Sequence, residues 1–232
     1  MGAVGRQVRP TGLGRTVLMD EAYDALLALI LDEDLDPGTP LRIDTIAKDW
    51  GVSPTPLREA LAKLENTGLV QRVPHRGYTV APLLDDRGFR ELMAARLLIE
   101  PYSARQACER DAAGTARVLA EHHHAMTEAA DQREADDFRA YMQADSAFHA
   151  AIAEAAGNRF LSAAIDPLGA HIQRFRRFTG GRVNDTEEAL AEHAAILRAF
   201  EASDAQACEA AMRAHLDGVA HRSFGPAGTG PA

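Results

Sequence analysis

Between Gly51 and Val70 the chain reads Gly-Val-Ser-Pro-Thr-Pro-Leu-Arg-Glu-Ala-Leu-Ala-Lys-Leu-Glu-Asn-Thr-Gly-Leu-Val, a pattern that few backbone arrangements satisfy. Gly51 permits a tight turn, and Ser53 or Thr55 can cap the helix that follows. Pro54 and Pro56 fall in its first turn, where the N–H groups have no partner within the helix and a missing donor costs little. Leu57, Ala60, Leu61 and Leu64 recur at i, i+3, i+4 and i+7, so they form one buried stripe. Arg58, Glu59 and Lys63 are left on other faces, and Gly68 stops the helix. Just upstream, Ile43, Ile46, Ala47 and Trp50 predict a second short helix by the same logic. Two short helices joined by a glycine-containing turn form a helix-turn-helix, whose second helix fits the major groove of DNA.

Two short strands follow, Leu69–Val73 and Gly77–Ala81, joined by Pro74-His75-Arg76-Gly77. A hairpin directly after a recognition helix is a wing, and Arg76 at its tip is placed to reach the phosphate backbone or minor groove. Before the pair, Val17 to Leu31 predicts a first helix with Leu18, Tyr23, Leu26, Leu27 and Ile30 inward, ended by Asp36-Pro37-Gly38. The reading divides the chain into a disordered tail (1–12), a winged helix-turn-helix (13–82), a linker around Pro82 to Gly88 (83–88), an all-helical bundle (89–222) and a second tail (223–232). In the bundle strand signals are almost absent and alanine is abundant. Gly114, Gly157-Asn158, Pro167 and Gly180-Gly181 punctuate six or seven helices.

The net charge of −9 looks unsuited to a DNA-binding chain until its distribution is considered. Residues 53–80 carry Arg58, Lys63, Arg72 and Arg76 against Glu59 and Glu65, a local excess of positive charge, whereas residues 81–232 carry a net −7. Phosphate attraction acts over about a Debye length of ~10 Å, so a basic face works on an acidic protein. No run approaches the roughly 18 apolar residues of a membrane span, and the N-terminus lacks a signal-peptide core. A cytoplasmic protein is expected. Cys108 and Cys208 are the only cysteines and lack CxxC spacing, so they read as free thiols rather than a redox pair or zinc knuckle.

Four side chains of the bundle are candidates for chemistry. Asp145 and His149 stand one helical turn apart and project from one face. His193 follows in Glu192-His-Ala-Ala-Ile-Leu197 and His215 in Met212-Arg-Ala-His-Leu216. Converging in a bundle, three imidazoles and a carboxylate suit a borderline divalent ion such as Zn²⁺, Ni²⁺ or Mn²⁺. A lone Asp-x-x-x-His is also what a surface pair or satisfied core histidine looks like. Arg96 reads either as a helix-surface ion pair with its i,i+4 partner Glu100 or as a bidentate clamp for an effector carboxylate. Arg174 is a weaker candidate of the same kind, and Arg176 and Arg177 read as solvated. His122, His123 and His124 point different ways round a helix and read as a solvated face. A metal-dependent hydrolase would need a general base near the metal; Glu192 and Glu154 are the candidates, and neither has motif support.

Residues 18–81 resemble the winged-helix domain of GntR-type transcription factors. The resemblance rests on Leu35-Asp-Pro-Gly38, Leu41, Ile46-Ala47, Gly51-Val-Ser53, Thr55-Pro56, Arg58-Glu-Ala-Leu61, Leu64-Glu65, Gly68-Leu-Val70 and Arg76-Gly77. It implies DNA contacts from Ser53, Thr55, Arg58, Arg76 and Gly77. Pro54 stands where that family carries an arginine, which implies altered base selectivity. Residues 89–222 are similar to the FCD effector domain of the FadR subfamily, through Arg96-x-x-x-Glu100, Asp145-x-x-Phe-His149, Gly157-Asn158, Glu192-His193-x-x-Ile196 and His215-Leu216. That resemblance implies a metal on Asp145, His149, His193 and His215, with a small organic-acid effector reaching Arg96 and Arg174. The combined expectation is a homodimeric regulator, a repressor by the commoner family pattern, on a palindromic operator of double-stranded DNA. A metal with a purely structural role is the alternative.

Overall fold

A computed structural model describes residues 15–32, 35–131, 135–178 and 185–224. The expected tail at 1–12 and the turn at Gly180-Gly181 lie outside the described residues, as does all of the C-terminal tail beyond Phe224. The chain divides into two compact units, with the boundary between Leu83 and Leu84.

The first unit contains α1 (Arg15–Asp32), β1 (Pro40–Leu41), α2 (Ile43–Trp50), α3 (Pro54–Asn66), β2 (Val70–Val73) and β3 (Gly77–Val80). Gly51 ends α2 in the left-handed region at φ 68°, where a side chain is disfavoured. Its N–H bonds back to Ala47 O, and the chain turns there into α3. Leu57, Ala60, Leu61 and Leu64 are buried as the stripe requires. Burying each leucine contributes about 1.5–3 kcal/mol. Ser53 occupies the N-cap position of α3 but makes no side-chain cap bond, so neither candidate cap is used that way; Thr55 is already inside the helix. With Pro54 at the first helical position and Pro56 behind it, fewer donors remain to be capped.

The inward stripe of α1 is Ala22, Leu26, Leu29 and Ile30. Leu18, Tyr23 and Leu27 are only half-buried. Tyr23 instead lies beneath Lys63, whose ammonium is 4.4 Å from the ring centroid. The wing has the expected hairpin, with Arg72 opposite Tyr78 and Val73 opposite Gly77. Sequence reading missed β1, which pairs antiparallel with β3 and gives the order β1-β3-β2. Two residues are too few to show alternation.

The second unit is helical: α4 (Asp86–Asp131), α5 (Ala135–Ala155), α6 (Arg159–Phe178), α7 (Thr186–Glu201) and α8 (Ala205–Phe224). The linker is shorter than expected because Asp85 Oδ1 accepts the Gly88 N–H at 2.7 Å and starts α4 early. Helix α4 breaks at Asp111, where φ −157° and ψ 77° are not helical. The Asp111 carboxylate then accepts the Gly114 N–H at 2.8 Å and restarts the helix, so the turn sign at Gly114 was sound. Gly157 sits at φ 70°, and Asn158 Oδ1 accepts the Phe160 N–H to open α6. Pro167 does not break the chain there: it lies inside α6. Burial of Ile165, Ala170, Ile172 and Phe175 offsets the roughly 3 kcal/mol such a proline costs.

Around α4 the core gathers Phe89, Leu119, Met126, Phe148, Ile152, Ile196, Phe200, Met212 and Leu216. Phe89 stacks on Phe175 at 4.0 Å. Cys108 on α4 and Cys208 on α8 are both buried free thiols. Burial and the hydrogen-bonded neighbour Cys108 push the Cys208 thiol well above its ordinary range. The histidine run is not uniformly solvated. His123 is half-buried, its Nε2 3.2 Å from Leu190 O on α7, while His124 stays exposed beside Glu128.

Candidate metal and effector centre

Four helices deliver polar side chains into the interior of the second unit. Helix α5 supplies Asp145 and His149 from one face, α7 supplies His193, α8 supplies His215, and α4 supplies Arg96 and Glu100; all six are buried. The three histidines can bring their ligating nitrogens within 4.8 Å of one another. His193 Nε2 is 3.3 Å from His149 Nε2 and 3.4 Å from Asp145 Oδ1, which puts the carboxylate beside the cluster. His149 and His215 stack at 5.3 Å, His193 and His215 lie 4.3 Å apart, and Phe148 closes one side edge-on to His193.

The outward nitrogens explain the inward ones. His193 Nδ1 is 2.8 Å from Ala189 O; a carbonyl only accepts, so Nδ1 carries the hydrogen and Nε2 keeps its lone pair. His215 Nδ1 is 2.9 Å from Glu192 Oε2, and His149 Nδ1 is 2.6 Å from Glu100 Oε2. Burial, reinforced by the other two imidazoles, drives the His193 pKa well below its ordinary value. Burial likewise lowers that of His215 against the pull of Glu192. With Nδ1 of His193 and of His215 turned to outer acceptors, their Nε2 lone pairs face the cluster, where His149 Nε2 also lies. Repulsion between those lone pairs is relieved by a cation, and the donor set fits a borderline divalent ion.

Arg96 meets Glu100 through Nε and through Nη2, the latter at 3.3 Å from Oε2. The i,i+4 ion pair expected at the helix surface forms, but it is buried, because α4 turns this face into the bundle interior. Burial alone would raise the Glu100 carboxyl. Arg96 and His149 outweigh it and hold the group far below the usual carboxylate range. Arg174 on α6 is buried too, and burial lowers its pKa. Arg176 and Arg177 lie outside the described side chains. Glu154 is exposed, and Glu192 is occupied by His215 and Arg222, so neither stands ready as a base. Arg222 and Asp185 were missed in the sequence. The usable signal was the spacing His215, Gly218, Arg222, which keeps one face of α8 toward α7.

In the first unit Ser53, Thr55, Arg58, Arg76 and Gly77 are all exposed. Thr55 and Arg58 share a face of α3. Gly77 adopts φ 79° and its neighbour His75 φ 63° at the wing turn. Lys63 pairs with Asp20 at 3.5 Å and is thereby turned toward α1.

Residues 18–80 match the bacterial regulatory proteins of the gntR family, and residues 91–218 match the FCD domain. This chain belongs to the GntR family. It is a DNA-binding transcription regulator of the winged-helix-plus-FCD architecture that characterises the FadR subfamily, and not an enzyme. This GntR regulator is 30% identical over 206 residues to the HTH-type transcriptional regulator BphR of Paraburkholderia xenovorans, covering 86% of this chain and 82% of that one. It is also 30% identical over 183 residues to the HTH-type transcriptional repressor RspR of Escherichia coli, covering 79% and 78%. The fold matches that of E. coli McbR/YncC with a TM-score of 0.75 at 20% identity, covering 87% and 94%. Among the described residues no helix is long and apolar enough to cross a membrane.

Proposed function

We propose that this GntR regulator is a cytoplasmic repressor whose FCD domain holds a divalent metal and answers to a small organic acid. The observation that carries the reading is the convergence of three buried imidazoles, two of them with Nδ1 on an outer acceptor and the third, His149, with Nδ1 2.6 Å from Glu100 Oε2. His149, His193 and His215, with Asp145 beside them, would hold the ion, for which Zn²⁺, Ni²⁺ or Mn²⁺ are suited. Bound there, the metal supplies a Lewis-acidic position for a carboxylate. Arg96 and Arg174 add buried guanidinium charge to the same unit, which favours an anionic ligand over a neutral one.

Ser53, Thr55, Arg58, Arg76 and Gly77 contact operator DNA in this reading. Two copies of the chain would present two winged units to a palindromic site, as half-site recognition requires. Repression agrees with the similarity to the E. coli repressor RspR. An effector acts only through unequal affinity for two arrangements of the dimer. Sedimentation of the purified protein at the mass of two chains is expected; a monomer at micromolar concentration contradicts the dimer.

A second reading has one observation in its favour. Arg96 is already bound by Glu100, so the centre can serve as a structural brace with no effector. A thermal-melting screen against small carboxylates, before and after chelation, separates the two. A stabilising shift for one acid that disappears on chelation or in Arg96→Ala supports the effector site. Melting that falls on chelation yet responds to no acid supports the brace.

A further inference from the structure

His193 is oriented by a carbonyl of its own helix, but His215 depends on another one. Its Nδ1 is 2.9 Å from Glu192 Oε2 on α7. Arg222, on the last turns of α8, grips the same carboxylate with Nη1 at 2.7 Å from Oε1 and Nη2 at 2.9 Å from Oε2. Its Nε donates to Asp185 Oδ2 at 2.9 Å, just ahead of α7. Arg222 donates to both carboxylate oxygens of Glu192, so Glu192 is left only to accept from His215. A carboxylate only accepts, so His215 must carry its hydrogen on Nδ1 and keep its Nε2 lone pair for the cluster.

Gly218 makes the arrangement possible. It lies between His215 and Arg222 on the face of α8 that meets α7. A Cβ built there would fall 2.5 Å from Glu192 Oε1 and 2.8 Å from Arg222 Nη1. The missing side chain is the lane along which the guanidinium reaches the carboxylate.

We propose that Glu192 and Arg222 are positioning residues for the metal centre: Glu192 fixes the tautomer and ring direction of His215, Arg222 clamps Glu192 in place, Asp185 braces Arg222, and Gly218 leaves the room they occupy. This rests on the metal reading given above. It extends the site from the three imidazoles to the end of α8 and the start of α7. Loosening either end then reaches the metal without touching a ligand.

The test uses the full-length protein stripped of metal by a chelator. Zn²⁺, Ni²⁺ and Mn²⁺ are titrated in against a chromophoric competitor, and imidazole ¹⁵N shifts are recorded on the stripped protein. For the tightest-bound ion, Glu192→Ala and Arg222→Ala are expected to lower affinity about ten- to a hundredfold, the usual effect of removing an outer partner of a ligating histidine. Gly218→Ala shifts affinity in the same direction by displacing the carboxylate. Glu192→Gln retains most of the affinity, because its amide oxygen still accepts from Nδ1–H. The His215 ¹⁵N shifts report the Nδ1–H tautomer in the native protein and a mixture in Glu192→Ala. Should Glu192→Ala fail to fold, Arg222→Lys carries the test: one ammonium cannot bridge both carboxylates in the same geometry, and affinity still falls. Native affinity in the Glu192→Ala and Arg222→Ala proteins, with an unchanged tautomer, overturns the relay and leaves the metal reading intact. A native protein that binds none of the three ions overturns both.

Discussion

In the winged unit Ser53, Thr55, Arg58, Arg76 and Gly77 all lie at the surface, while in the helical unit Arg96, Asp145, His149, Arg174, His193 and His215 are all buried. The first arrangement separates function from stability. Leu57, Leu61 and Leu64 hold α3 from below, and the outer face is left to meet DNA. The second arrangement fuses them. A charged or neutral-polar group in an interior is tolerated only when each donor and acceptor is matched, so the site's chemistry and its packing are the same set of bonds.

Substitutions can break or sharpen that contrast. The largest effect is expected from His193→Ala, which removes a fully buried proposed ligand. Metal affinity should fall by about a hundredfold or more, beyond the loss from any outer partner, while operator binding without effector persists in gel-shift assays. Unaltered affinity would mean that the histidines are not the ligands. Next comes Leu61→Ala, a cavity beneath the recognition helix expected to cost about 2–5 kcal/mol. Calorimetry should show an earlier transition for the winged unit alone. A single transition moving as a whole would show that the units do not melt independently.

Arg58→Ala should weaken specific binding by about 1–3 kcal/mol and relax selectivity at one base position, measured by binding-site selection. If selectivity is kept and only affinity drops, Arg58 contacts phosphate rather than bases. Smallest is Arg76→Ala at the wing, which should weaken binding to all sequences alike and reduce the salt dependence by about one unit of slope. A change in base preference would place Arg76 in a groove instead.

How much was legible in the sequence follows the same division. The stripe Leu57-Ala60-Leu61-Leu64 was plain because a helix with one wet face repeats its apolar residues. The inward face of α1 was read partly off phase, since Ala22 carries little hydrophobic weight and Tyr23 carries much, yet Lys63 keeps Tyr23 near the surface. A local signal misled at Pro167, where tertiary packing outweighs a helix breaker. Strand β1 gave no signal at all. In the bundle, Asp145, His149, His193 and His215 were put forward through family signatures, since spacing on separate helices does not reveal the convergence the fold brings about. The partners were harder. Glu100 was visible as a neighbour of Arg96 but not as the group behind His149, because that contact joins α4 to α5. Arg222 was passed over because an arginine near the end of a helix ordinarily faces water.

The thiols of Cys108 and Cys208 carry one more consequence. They are the only two in the chain, and both are sealed between α4 and α8. A thiol reagent can therefore react only when this seam parts, so its rate is a clock for the opening of the helical unit. With no engineered cysteine, the protein reports how often its own interior meets solvent.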